Sequence, residues 1–114
     1  MSKKTSPGDL YSRAGNKTSE IEAEMKRIGF WSLDPLPEDA YDFREAFAMD
    51  TMAFSQWLQF ILIPRVRSII EQKGDFPSES MVGTQAVREF DGDTMASDLV
   101  NLLCEFDDLF RRKR

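Results

Sequence analysis

The sequence predicts an all-helical domain: an up-and-down four-helix bundle with one short helix and a long proline-containing loop after the first helix. Apolar residues recur at helical spacing, no segment shows the alternation of a strand, and helix start and stop residues flank the periodic segments. With 114 residues, of which 41% are hydrophobic and 31% charged, the chain is long enough for one core. We therefore expect a single domain over 1–114.

The first helix is predicted over about 8–28. Ser6 and Pro7 form a helix-start pattern, and Gly29 suits the helix end. Gly15 weakens the first half, because glycine costs roughly 1 kcal/mol relative to alanine inside a helix. The apolar positions are Leu10, Ala14, Ile21, Met25 and Ile28. Residues 1–7 are expected to be flexible.

A long acidic and aromatic loop follows, because Pro35 and Pro37 forbid a continuous helix there. Its aromatic residues indicate a loop pinned across the bundle. An alternative interpretation is a carboxylate metal site built from Asp34, Asp39 and Asp42. No EF-hand spacing is present, so a solvated loop is favoured and no cofactor or metal is predicted.

The second helix is predicted over about 52–72, ending at Lys73 and Gly74. Its middle turns are apolar nearly all round. Such a helix is either wrapped by neighbours on several sides or keeps an apolar patch for a partner. Pro64 lies inside this helix and removes one backbone hydrogen bond, so we expect a kink there.

A short third helix is predicted near 83–90 and a fourth over 94–112. Between them, the segment 91–93 indicates a turn leading into the cap of the fourth helix. The fourth helix has the clearest apolar stripe: Met95, Leu99, Leu102, Leu103, Phe106, Leu109 and Phe110. Its acidic residues, Asp98, Glu105, Asp107 and Asp108, are expected to form an acidic outer surface.

Composition narrows the classes of function. The chain has no His and one Cys, which excludes Cys/His zinc sites and imidazole catalysis. Net charge is −5; without the basic residues at 3–4 and 111–114, 9 basic and 20 acidic residues leave −11. Generic nucleic-acid binding is therefore disfavoured, although the basic tail 111–114 remains a possible RNA contact. No signal peptide or membrane span is visible, so we expect a cytoplasmic protein in which Cys104 has a packing role.

The segment 49–65, MDTMAFSQWLQFILIPR, resembles the signature of the YqcC-like family of small bacterial proteins of unknown function. The resemblance continues through Gly74 and Pro77 and, more loosely, through the last helix, which includes Asp107. It implies a four-helix fold, in agreement with the residue pattern. The candidate interaction residues within this signature are Met49, Asp50, Thr51, Trp57, Gln59, Phe60, Pro64 and Arg65.

Each polar or aromatic signature residue has a structural and a functional interpretation. Asp50 or Thr51 is expected to cap the second helix, or to anchor a partner. Trp57 suits a core or interface position better than base stacking. Gln59 must find hydrogen-bond partners within the bundle or across an interface. Arg65 is expected either to bridge to Asp50 or a loop carboxylate, or to stand free at a binding surface.

Members of this family are often labelled "tRNA pseudouridine synthase C". Pseudouridine synthases resemble one another in a much larger mixed sheet with a catalytic Asp and a basic cleft, which this helical, acidic chain does not match. The favoured hypothesis is a non-enzymatic protein–protein interaction module that uses the second helix and the loop 34–47, with self-association as a variant. The alternative is an accessory factor in tRNA modification without catalytic activity of its own.

Overall fold

A computed structural model describes residues 7–111, and in this range it contains four helices and no strand. The helices are α1, Pro7–Arg27; α2, residues 54–72; α3, Val82–Glu89; and α4, Ser97–Asp108. Short 3₁₀ helices occupy Glu38–Tyr41, Ala46–Ala48 and Thr94–Ala96. The predicted all-helical class is confirmed, whereas the up-and-down topology stays a prediction. Residues 1–6 and 112–114, which hold most of the predicted flexible start and basic tail, lie outside the described range.

The helices pack around a single apolar core. α1 contacts α4 and the second half of α2, and α3 packs along α4. The large side chains that are almost fully buried come from three helices: Ile21, Met25, Leu58, Leu99 and Leu103. Burial of each such side chain contributes roughly 1.5–3 kcal/mol, so this shared core holds the helices together.

The first helix is continuous across Gly15, whose Cα faces Ile70 of α2. It ends as predicted at Gly29, which has a φ of +81°. The Phe30 amide donates to the Met25 carbonyl at 2.8 Å, and the Gly29 amide donates to Lys26. These two bonds form a Schellman motif, in which a left-handed glycine satisfies the last carbonyls of a helix.

The second helix contains a π-helical turn in front of Pro64. α-Helical segments Phe54–Trp57 and Ile63–Gln72 flank a π-helix at Leu58–Leu62, where the Ile63 amide donates to the Leu58 carbonyl. Pro64 has no amide hydrogen to continue the regular pattern, so the predicted disruption takes this form. The helix end at residue 72 is as predicted, but Lys73, at φ +54°, adopts the left-handed conformation in place of Gly74.

The last two helices largely follow the sequence pattern. α3 lies within one residue of its predicted range. The Asp93 carboxylate accepts from the Met95 amide at 3.1 Å, which confirms the predicted cap before α4. α4 is shorter than predicted, because the amides of Leu109 and Phe110 bond to carbonyls three residues back and tighten the last turn.

Gly83 permits a close approach between α3 and α4. A Cβ atom at this position would lie 2.6 Å from Cα of Cys104, a backbone atom that cannot move aside. Gly83 is also buried. The contact between the two helices therefore requires the absence of a side chain at residue 83.

Two glycine-to-alanine substitutions in helices should have opposite effects. Gly83→Ala should lower the free energy of unfolding by about 3 kcal/mol, because the new methyl group forces α3 away from α4. Gly15→Ala should raise it by roughly 0.5–1 kcal/mol, because helix propensity improves. The nearest side-chain atom to a Cβ at residue 15, Cδ1 of Ile70, lies at an ordinary 3.5 Å. Urea denaturation of both variants measures the difference, and equal effects would contradict the packing described here.

Candidate functional site

An apolar cleft of about 190 Å³ lies between α2, the connector 76–82 and α4. Trp57, Leu62 and Val66 of α2 line it. Phe106 of α4 and Phe110, in the turn that follows α4, also line it. The cleft therefore joins the signature segment of α2 to the apolar stripe of the last helix, two parts of the sequence that are 40 or more residues apart.

The cleft has charged and flexible groups at its edge. Arg65 and Glu79 line it and are exposed. Met81, which is 55% exposed, lines it as well. Apolar walls with a few polar groups at the edge are typical of surfaces that bind a partner side chain or a small ligand.

Trp57 connects the cleft to the acidic loop. Its ring stacks on Phe54 at a centroid distance of 5.8 Å and meets Phe47 edge-on at 4.9 Å. Phe47 and Ala48 have φ angles of +59° and +53°, a conformation that side chains other than glycine seldom adopt. This aromatic contact holds the loop in a strained conformation directly behind the cleft wall.

Asp107 of α4 caps the N-terminus of α3. Its Oδ1 accepts from the Val82 amide at 3.0 Å, and its Oδ2 accepts from the Gly83 amide at 2.7 Å. The Ser80 hydroxyl donates to the same carboxylate. Asp107 is 7% exposed, so the prediction that it belongs to an acidic outer surface is wrong. The carboxylate supplies the acceptors that the first turn of a helix lacks.

Burial raises the pKa of Asp107, and the hydrogen bonds from Ser80, Gly83 and Val82 oppose that rise. Burial also raises the pKa of the Cys104 thiol, with a further contribution from the charge of Asp107. A thiol with a raised pKa is a weak nucleophile, consistent with the expectation that Cys104 has a packing role.

Gln59 is buried and forms two hydrogen bonds to the backbone of Ser32, in the segment that follows α1. Its Nε2 donates to the Ser32 carbonyl and its Oε1 accepts from the Ser32 amide, both at 2.8 Å. The prediction that this amide finds partners is thereby confirmed, within the chain itself. Gln59 is 8% exposed and makes both of these bonds within the chain, so its observed role is in the fold.

Asp50 and Thr51 do not cap the second helix, so that prediction is wrong. α2 begins at Phe54, and the Gln56 side chain accepts from the Ala53 amide at 2.8 Å. Asp50 instead accepts from the backbone amides of Arg44 and Glu45, which hold its pKa below the ordinary value. The Thr51 hydroxyl donates to the carbonyl of Ala40 at 2.6 Å. Both side chains fasten the acidic loop to the start of α2.

The remaining signature residues differ in exposure. Trp57 is buried in the cleft wall, Phe60 is half-buried, and Met49, Pro64 and Arg65 are exposed. Arg65 makes no ion pair with any residue in 7–111, so it does not form the expected bridge to Asp50 or a loop carboxylate. Since most apolar side chains of α2 are buried, the helix is chiefly wrapped by its neighbours.

The sequence left a carboxylate metal site as an alternative and showed no membrane span. Within the described range, no three Asp, Glu, Cys or His side chains come together as a metal-binding group, and Asp34, Asp39 and Asp42 are no exception. None of the helices between residues 7 and 111 has the length and apolar character required to cross a bilayer.

The fold and the cleft define a small, all-helical protein in which three aspartates, Asp50, Asp93 and Asp107, bind backbone amides of the chain itself. The family model described as "DUF446: tRNA pseudouridine synthase C" matches residues 14–109. The chain belongs to this family, and the YqcC-like resemblance of its signature is confirmed.

Three curated relatives support this assignment. An uncharacterized protein of Haemophilus influenzae is 27% identical over 62% of this chain and 70% of its own length. Protein YqcC of Escherichia coli, also uncharacterized, is 28% identical over 59% of this chain and 62% of its own length. A Pectobacterium carotovorum protein named tRNA pseudouridine synthase C is 31% identical over 51% of this chain, but the match spans 15% of that protein.

A solved structure shares the fold. The solution NMR structure of YqcC from E. coli superposes with a TM-score of 0.79 at 23% identity, covering 92% of this chain and 94% of that one. At this identity the likeness concerns the helical fold alone.

Removal of the Asp107 carboxylate should destabilise the protein strongly. Asp107→Ala leaves two buried amides and the part-buried Ser80 hydroxyl without this acceptor, which should lower the free energy of unfolding by about 3 kcal/mol. Asp108→Ala is the matched control, because Asp108 is exposed and bonds to Arg111 one turn later. That variant should change stability by less than about 0.5 kcal/mol. If chemical denaturation gave the two variants equal stability, Asp107 would not be the cap described here.

Proposed function

We propose that this protein is a non-enzymatic interaction module whose binding surface is the cleft together with the exposed methionines beside it. The observation that carries the proposal is an open apolar cleft walled by Trp57, Phe106 and Phe110, with the half-exposed Met81 on its edge. Aromatic walls and methionine are enriched where proteins bind one another.

The apolar surface extends past the cleft along α3. Gln85 follows Met81 by one helical turn, and its Nε2 lies 3.6 Å from Sδ of Met49. Met49 is itself exposed. The two methionines therefore flank the same face of α3, which enlarges the area that a partner can cover.

The acidic loop contributes a rigid border to this surface. Phe43 and Phe47 pack against the core, while Tyr41 remains exposed. Asp50 fixes the loop through two backbone amides, and Trp57 contacts Phe47. A preorganised loop loses little conformational entropy when a partner binds.

The chemistry of the polar groups favours binding over catalysis. Asp50 is the one acid in the signature, and its carboxylate is occupied by backbone donors. Asp107, the buried acid next to the cleft, likewise accepts from Ser80, Val82 and Gly83. Because both carboxylates accept hydrogen bonds from donors of this same chain, the contacts that they make serve the fold.

Two methionine substitutions distinguish binding at the cleft from a general effect of added surface charge. Met81 and Met95 are exposed by 55% and 60%, and they lie near opposite ends of α4. Met81→Asp should reduce recovery of a partner in a tagged pull-down by about tenfold, because a charge next to the apolar cleft must be desolvated on binding. Met95→Asp should leave recovery unchanged.

Circular dichroism and thermal unfolding of both variants establish that they are folded. Equal recovery by Met81→Asp and the wild type, with both folded, would contradict the assignment of the cleft. Equal loss in both variants would show that the effect is one of general surface charge.

A second candidate function is an accessory role in tRNA modification. It is favoured by the Pectobacterium relative, in which the similar stretch is a small part of a longer protein named tRNA pseudouridine synthase C. If this chain assists such an enzyme through RNA, deletion of residues 111–114 should abolish salt-sensitive tRNA binding. Filter binding of tRNA at two salt concentrations measures this, with Lys73→Gln as a control for loss of positive charge elsewhere. No binding by the intact chain would remove direct RNA contact.

A further inference from the structure

We propose that the occupant of the cleft is a second copy of this chain, which inserts Leu33 and pairs its Asp34 with Arg65. This inference rests on the proposed function and names the partner of the same site. The structure supplies both halves of the contact, a rigid protruding apolar residue next to a carboxylate, and an apolar cleft next to an unpaired guanidinium.

Leu33 is the protruding half. It is 95% exposed, the highest value among the large exposed hydrophobic residues of the described range. A single exposed leucine is ordinary, but this one stands on a segment that is fixed on both sides. When a partner buries an apolar side chain that stands on a rigid backbone, little backbone entropy is lost. Less of the favourable free energy of burial is therefore offset.

The backbone around Leu33 is fixed by side-chain hydrogen bonds. Gln59 of α2 holds both the amide and the carbonyl of Ser32 at 2.8 Å. The Asp34 amide donates to the Ser32 hydroxyl at 3.3 Å, and that hydroxyl donates to the Asp34 carbonyl. Pro35 restricts the residue that follows. Signature residue Gln59 thus acts as a positioning residue for Leu33.

The cleft is the receiving half. Its volume of about 190 Å³ suits one large apolar side chain, given that a cavity of roughly 150 Å³ holds a benzene molecule. Trp57, Phe106 and Phe110 provide apolar walls on more than one side. Burial of one leucine there supplies the apolar part of a weak interface.

The two halves of the proposed contact also carry opposite charges, Asp34 beside Leu33 and Arg65 beside the cleft. Arg65 lines the cleft and has no ion-pair partner within residues 7–111, and the same is true of Asp34. Arg44 and Arg88 of the described range are also without an ion pair, but neither lines the cleft. Glu79 also lines the cleft and would repel an entering carboxylate, so the proposed pairing requires Asp34 to lie nearer to Arg65 than to Glu79.

The oligomeric state tests this proposal with the protein alone. Sedimentation equilibrium of the full chain should show concentration-dependent self-association. Leu33→Ser should weaken it by at least about tenfold, through lost apolar burial. Met95→Ser, at a similarly exposed residue remote from the cleft, should leave it unchanged. Circular dichroism verifies that each variant is folded.

A charge exchange makes the test specific. Asp34→Arg alone and Arg65→Asp alone should each weaken association by about tenfold. The double variant, which restores opposite charges across the interface, should recover it. A monomer at every concentration, or a double variant as weak as the singles, would overturn the proposal. If the chain is monomeric but Met81→Asp still abolishes capture of another protein, the proposed function stands and only the identity of the occupant is wrong.

Discussion

The Asp107 carboxylate is the interaction on which the rest of the structure depends. It joins α4 to the first turn of α3 by two backbone hydrogen bonds and draws Ser80 of the connector into the same contact. Gly83 makes the approach possible, because a side chain there would meet the backbone of Cys104. The connector 76–82 forms one wall of the cleft, so the cap that fixes α3 also shapes the candidate site.

A second set of contacts ties the irregular half of the chain to α2. Gln59 holds Ser32, Asp50 holds the backbone near Arg44, and Trp57 packs on Phe47. All three belong to the signature segment, 49–65, and each of them contacts another residue of this same chain. These signature residues therefore serve to fix the long proline-containing segment to α2. The exposed members of the signature, such as Arg65, take no part in these contacts.

Much of the fold could be predicted from the sequence because it depends on local rules. Apolar periodicity placed the four helices, and Gly29 and Asp93 marked an end and a start that the structure confirms. Contacts between distant segments could not be predicted in this way. From the periodicity of its own helix, Asp107 is expected to be a surface residue. It is buried because it contacts the N-terminus of α3, which comes from another part of the sequence. Its position on the edge of the apolar stripe, within the family resemblance, was the available signal.

Amide hydrogen exchange at Val82 and Gly83 tests the central claim most directly. First-turn amides of a helix ordinarily exchange quickly, since they lack intrahelical acceptors. If Asp107 binds them as described, both should be protected nearly as well as the core amides of Leu99 and Leu103, which open only with global unfolding. Rapid exchange at Val82 and Gly83, with the core still protected, would contradict the account.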